Sequence, residues 1–138
     1  MEALKGRESN PLPISTELTH SLPQLLRWMN TCNKDHSECS DEGTRSSTMP
    51  TRLLQLDESD SSTISLVNSK DHFRHEAGER YMTLSHCWGT LQLLTLRRAN
   101  QASLEAGIKV KQLPLSFQHA IQVVRALGIK YLWIDSLW

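Results

Sequence analysis

Net charge is the first thing this chain lacks. Lys+Arg 15 against Asp+Glu 15 cancel over 138 residues, so no global field points to nucleic acid or an acidic membrane as partner. Basic residues interleaved with aromatics, the pattern of an RNA- or DNA-binding face, are missing too, and no nucleic acid is expected. No apolar run approaches the roughly 18 residues that a membrane-spanning helix needs. The opening MEALKGRESNPLP has no apolar stretch of a secretory leader, so neither a membrane segment nor export is expected. Cysteine is scarce and odd in number at 3, which fits a reducing compartment without a disulfide framework and predicts a cytoplasmic protein. The 6 glycines are scattered singly, so neither G-x-G-x-x-G nor G-x-x-x-x-G-K-S/T is present to cradle a phosphate. Nothing repeats at a fixed period. Hydrophobic content of 38% is low for a fully globular chain, and the length suits one ordinary domain rather than two.

The zero charge hides an asymmetry. Residues 1–80 hold nine Lys/Arg and thirteen Asp/Glu, a net of −4, whereas residues 81–138 hold six and two, a net of +4. The texture changes at the same boundary, from Ser-rich and polar to dense apolar runs. Two readings follow: the acidic half packs beside the basic half, or the second half offers a basic ligand-binding face.

Residues 1–20 read as a tail, with Pro11 and Pro13 and few large apolar side chains. Residues 21–80 form a lead-in. A short helix is expected from a Ser21 cap, with Pro23 in its first turn and Leu22, Leu25, Leu26 and Met29 on one stripe. Trp28 is expected as a packing anchor beside that stripe. PTRLLQLD (50–57) and ISLV (64–67) read as two short strands joined by a polar turn, a hairpin. Residues 68–80 read as a loop.

From Tyr81 the pattern sharpens. YMTLSHCW (81–88) is a largely apolar strand ended by Gly89, and Thr95 is placed to cap a helix over Leu96 to Ala106. Pro114 opens the clearest helix: Phe117, Ala120, Ile121, Val124 and Leu127 recur at helical spacing, and Gly128 stops it. IKYLWID (129–135) is a second apolar strand. Strand, helices, strand, with neither strand alternating in polarity, predicts a β-α-β unit with a parallel pair buried on both faces. The fold class is therefore α/β: a three-layer, Rossmann-like parallel-sheet domain, incomplete here, with an irregular α+β lead-in. Two strands make no sheet, so residues 81–138 read as the front part of a larger domain.

Three groups of residues bear chemistry. Cys32, His36 and Cys39 supply thiolate and imidazole donors within eight positions, which suits zinc, although a closed site needs a fourth ligand; the plain alternative is a helix-ending turn. Ser85, His86 and Cys87 stand at the end of the first strand. Adjacent strand residues point to opposite faces, so they are not a nucleophile–base pair among themselves. Their position at the carboxyl end of a parallel strand is where open α/β sheets bind ligands; the alternative is a simple strand-to-loop transition. Asp135 and Ser136 stand at the end of the second strand. If the two strands are parallel neighbours, Asp135 shares one sheet edge with Ser85 and His86, forming a crevice suited to a ribose, a hydroxyl or a proton relay. The alternative is that Asp135 caps or braces the following segment.

YMTLSHCWG (81–89), LPLSFQHAI (113–121) and LGIKYLWIDSL (127–137), in that order, resemble the heterokaryon incompatibility (HET) domain of filamentous fungi. Trp28, the Cys32/His36/Cys39 group and Pro50-Thr51-Arg52-Leu53 resemble the lead-in common in that family. The resemblance implies non-self recognition after cell fusion, programmed cell death signalling, and protein partners or self-association. It also implies a C-terminally truncated domain, because the family's later blocks follow the position of Trp138. The family is held to be similar in fold to TIR domains, some of which cleave NAD with a glutamate in their later half. By that analogy NAD is the cofactor or substrate, Ser85, His86 and Asp135 line the first half of its crevice, and the catalytic acid falls beyond Trp138. A chain ending there is not expected to be an NAD hydrolase alone, and an inactive fragment or a non-catalytic, zinc-stabilised interaction module is the other reading.

Overall fold

The computed structural model describes residues 15–37, 49–56, 59–73, 79–87 and 94–137. Cys39, Trp88, Gly89 and most of the tail lie outside them. The chain divides into two compact units, Met1–Gly43 and Thr44–Trp138.

The described part of the first unit is one helix, α1 (Leu18–Asp35). It begins three residues before the expected Ser21 cap, so Pro23 lies inside it rather than in its opening turn. The Ser21 hydroxyl instead donates back to the Glu17 carbonyl at 3.1 Å. Trp28, expected as a packing anchor, is 55% exposed.

In the second unit, β1 (Arg52–Leu56) and β2 (Thr63–Asn68) form an antiparallel hairpin in the register Arg52↔Asn68 to Leu56↔Ile64. Asp60 closes its turn by accepting from the Ser62 N–H at 2.8 Å and the Ser62 hydroxyl at 2.7 Å. Residues 69–72, expected as loop, form a single helical turn, α2 (Ser69–His72), because the Asn68 side chain accepts from Lys70 N–H and caps it. Then come β3 (Tyr81–Leu84), α3 (Gln101–Ala106), β4 (Ile108–Lys109), a 3₁₀ turn at Val110–Gln112, α4 (Leu115–Ala126), β5 (Tyr131–Ile134) and a closing 3₁₀ turn at Asp135–Leu137.

Helix α3 starts later than Thr95 predicts. Asn100 accepts from Arg97 N–H at 2.7 Å and donates to the Thr95 carbonyl at 3.0 Å, folding 95–100 into a turn that competes with helix. Helix α4 follows its pattern. Pro114 stands at its N-cap, and Phe117, Ile121 and Val124 bury one face. Gly128, at φ +70, ends it: Gly128 N–H bonds the Arg125 carbonyl and Ile129 N–H the Val124 carbonyl, the two bonds of a Schellman stop.

The fold is α/β, with one mixed five-stranded sheet in the order β3-β5-β1-β2-β4. The β3–β5 pair is parallel, from Tyr81↔Tyr131 to Leu84↔Ile134; β5–β1, β1–β2 and β2–β4 are antiparallel. The lead-in hairpin thus lies in the same sheet as the β-α-β unit and supplies the neighbours that two parallel strands lack. Between β3 and β5 the chain crosses to the far edge, adds β4 there, and returns. Sequence periodicity does not reveal this detour, because β4 is only two residues long.

One face of the sheet carries the core. Leu54, Leu56, Ile64, Leu66, Leu132 and Ile134 meet Leu104, Ile108, Leu113, Phe117, Ile121, Val124 and Leu137. Each such side chain contributes roughly 1.5–3 kcal/mol by leaving water. Tyr131 alternates with Leu132 and so faces the other way, where His72 and Phe73 stack on it edge-on at 5.8 and 4.8 Å. Its hydroxyl lies 3.1 Å from His72 Nε2.

Candidate functional site

The parallel pair decides where the polar residues meet. Leu84 and Ile134 are register partners, so β3 and β5 end at the same level on the same sheet edge. The chain then continues through Ser85 and His86 on one strand and Asp135 and Ser136 on the other. His86 Nδ1 comes to 2.9 Å from Asp135 Oδ1. The two side chains are 12% and 24% exposed, a largely dry setting in which a charge pair interacts more strongly than in water. The contact is a close electrostatic approach rather than an aligned hydrogen bond between these two atoms.

Ser85 is exposed beside His86, as is Cys87. Ser136 is buried, its backbone carbonyl accepting from Leu96 N–H at 3.1 Å. Its hydroxyl has no hydrogen-bond partner among the described residues, an arrangement that costs about 1–3 kcal/mol of desolvation. The sequence pointed to Ser85, His86 and Asp135; the structure brings the last two into contact and leaves Ser85 at the rim. It adds Phe117, and it buries Ser136, which the sequence names beside Asp135. Phe117 lies edge-on to the His86 ring at 4.9 Å and 83°, and Ser136 carries the buried hydroxyl. Periodicity assigns Phe117 to the core and cannot say that its neighbour there is an imidazole.

Cys32 sits in the last turns of α1 and His36 is that helix's C-cap residue, its N–H bonded to the Cys32 carbonyl at 3.1 Å. Cys39 is not among the described residues, and these contain no cluster of three metal-ligating side chains. Among them, too, no helix is long and apolar enough to cross a membrane.

The segment that carries both strand ends and α4, residues 81–137, matches the family described as heterokaryon incompatibility protein (HET). Over these residues the chain is similar to HET proteins. The matched segment opens at Tyr81, the first residue of β3, and closes at Leu137, just after the Asp135–Ser136 turn, so the His86–Asp135 pair joins the two ends of the HET segment. The hairpin β1–β2 precedes the matched residues yet shares their sheet. No curated protein and no solved structure matches the chain.

Proposed function

We propose that this chain acts as a heterokaryon-incompatibility effector in fungal non-self recognition, promoting programmed cell death from the cytoplasm through self-association or a protein partner. The HET match over residues 81–137 carries this reading. The working pair of the domain is His86 and Asp135, held at the carboxyl ends of the two parallel strands. Sites of this kind form where neighbouring parallel strands end together.

A TIR-like nucleotide site is the finer form of the proposal. An imidazole–carboxylate pair offers the donor and acceptor chemistry that ribose hydroxyls use, although its facing atoms and the Ser136 hydroxyl are buried in this structure. If NAD binds there, its glycosidic bond supplies the chemistry, while His86, Asp135 and Ser136 hold and orient the sugar. The remaining acidic side chain of the matched segment, Glu105, is exposed on α3 and bonded to Gln101 at 2.8 Å, so Asp135 is the carboxylate of this crevice.

The test is induced expression of the chain in a filamentous fungus, scored for growth arrest. The wild type is expected to arrest growth, and His86→Ala and Asp135→Asn to relieve the arrest at equal protein level. Undiminished arrest by both variants would refute the role of the pair. Titration of purified protein with NAD separates the finer reading: saturable binding that is lost in Asp135→Asn supports it, and no binding leaves the interaction-module form.

A further inference from the structure

We propose that Phe117 is a positioning residue that fixes the plane of the His86 imidazole so that Nδ1 faces Asp135; this rests on reading His86–Asp135 as the working pair of the site. His86 stands two residues beyond the last β3 ladder pair, Leu84↔Ile134. No strand register therefore sets the ring's orientation, and its side-chain neighbours must. Asp135 meets it at Nδ1, 2.9 Å away, and Phe117 meets it edge-on, with centroids 4.9 Å apart at 83°. Asp135 touches the ring at one atom and does not by itself set the ring's plane. A second, perpendicular aromatic contact does, because edge-to-face packing has a preferred geometry.

Phe117 can do this because it is itself immobile. It is fully buried, in the first turn of α4, with its N–H bonded to the Pro114 carbonyl at 2.9 Å. The next residue, Gln118, locks the same turn by donating its side-chain amide to the Leu113 carbonyl at 2.7 Å. The ring that braces His86 is thus delivered by a helix start tied down twice, and a site braced by a rigid element holds its geometry better than one left to a loop.

A core role alone predicts something different. Ile121 lies one turn further along α4 and is equally buried, and it is the matched control. The experiment uses the full chain labelled with ¹⁵N-histidine and reads the His86 ring nitrogens, assigned with a His86→Gln variant. In the wild type, well-separated Nδ1 and Nε2 signals are expected, as for a ring held in one tautomer. Phe117→Leu is expected to collapse that separation toward the averaged value of a freely exchanging ring, as Asp135→Asn does. Ile121→Val is expected to leave it unchanged while lowering thermal stability. Should Phe117→Leu fail to fold, pentafluorophenylalanine at position 117 keeps the shape, reverses the ring's charge distribution and is expected to shift the same signals. Unchanged His86 signals in a folded Phe117 variant, or equal changes in the Ile121 control, would overturn the proposal. The readout needs no activity, so inactive biology with a locked ring refutes the functional reading and leaves the positioning role standing.

Discussion

The HET-matched segment is not expected to fold without the hairpin that precedes it. In a fragment of residues 79–138, β5 loses β1 as its neighbour, including the Leu54↔Leu132 and Gln55↔Tyr131 pairs and the 2.8 Å bond from Leu56 N–H to the Lys130 carbonyl. β4 likewise loses β2, its pairing partner at Thr63 and Ile64. What remains is the two-stranded β3–β5 ladder, and an isolated strand pair is marginal in water. The fragment also removes Leu54, Leu56, Ile64 and Leu66 from the core, all at most 3% exposed. At about 1.5–3 kcal/mol for each such side chain, the lost burial is roughly 6–12 kcal/mol. That equals the whole stability of an ordinary domain, about 5–15 kcal/mol.

The assay compares fragments 44–138 and 79–138 by thermal melting followed by circular dichroism, and by amide dispersion in NMR. The longer fragment is expected to melt cooperatively with a dispersed spectrum. The shorter is expected to show neither. A cooperative melt of 79–138 as a monomer would refute the reasoning, since it would mean that α3 and α4 alone cover the parallel pair. A milder version keeps the chain whole: Leu54→Ala is expected to cost about 2–5 kcal/mol, the usual range for such a truncation in a core.

Other outcomes follow from single positions. Gly128→Ala forces a side chain into φ +70 at the α4 stop and is expected to lower the unfolding free energy by about 1–2 kcal/mol in urea titration, although no neighbouring atom obstructs the added methyl. Asp60 is held near a pKa of about 2, below the usual 3.8, mainly by the Ser62 hydroxyl, then by Thr63, the Ser62 N–H and the nearby Lys109 charge. A carboxylate lowered on folding stabilises fully above its unfolded pKa and loses that contribution as pH falls through its folded one. Asp60→Asn is therefore expected to shift the urea midpoint downward at pH 6, and the difference from wild type to vanish as pH falls from about 4 toward 2. Zinc binding through Cys32, His36 and Cys39 predicts about one equivalent of metal in protein purified without chelator, lost in Cys32→Ser; metal analysis decides it.

Much of this fold is legible in the residues because local signals and burial agree. Pro114, the Phe117/Ile121/Val124 face and Gly128 define α4 by cap, stripe and stop, and the unalternating apolar run marks β5 as an inner strand; β3, just as apolar in sequence, is instead an edge strand of the sheet and only partly buried. What escapes is non-local. Nothing in RLLQL says that it lies between β2 and β5, because strand order depends on which edges remain open once the crossover is made. The start of α3 is hidden by a side-chain bond, Asn100 to the Thr95 carbonyl, that no propensity reports. The site is half legible for the same reason: strand ends mark His86 and Asp135, but their separation depends on β3 and β5 being immediate neighbours.

That dependence divides the sheet by purpose. An antiparallel pair sets the carboxyl end of one strand beside the amino end of the next, so β1, β2 and β4 cannot bring two strand ends together on one edge. Only β3 and β5 can, and parallel neighbours require a crossover long enough to carry α3 and α4 over the face between them. The antiparallel strands then supply most of the burial, and the parallel pair is where the proposed site lies. Substitutions in β1 and β2 should accordingly change function only in proportion to the folded fraction, and lowering the temperature should restore it. Substitutions at His86, Asp135 or the first turn of α4 should impair function while the protein stays folded, and no temperature should restore it. A folded but inactive β1 variant would show that the hairpin touches the ligand or partner directly, and the division would fail.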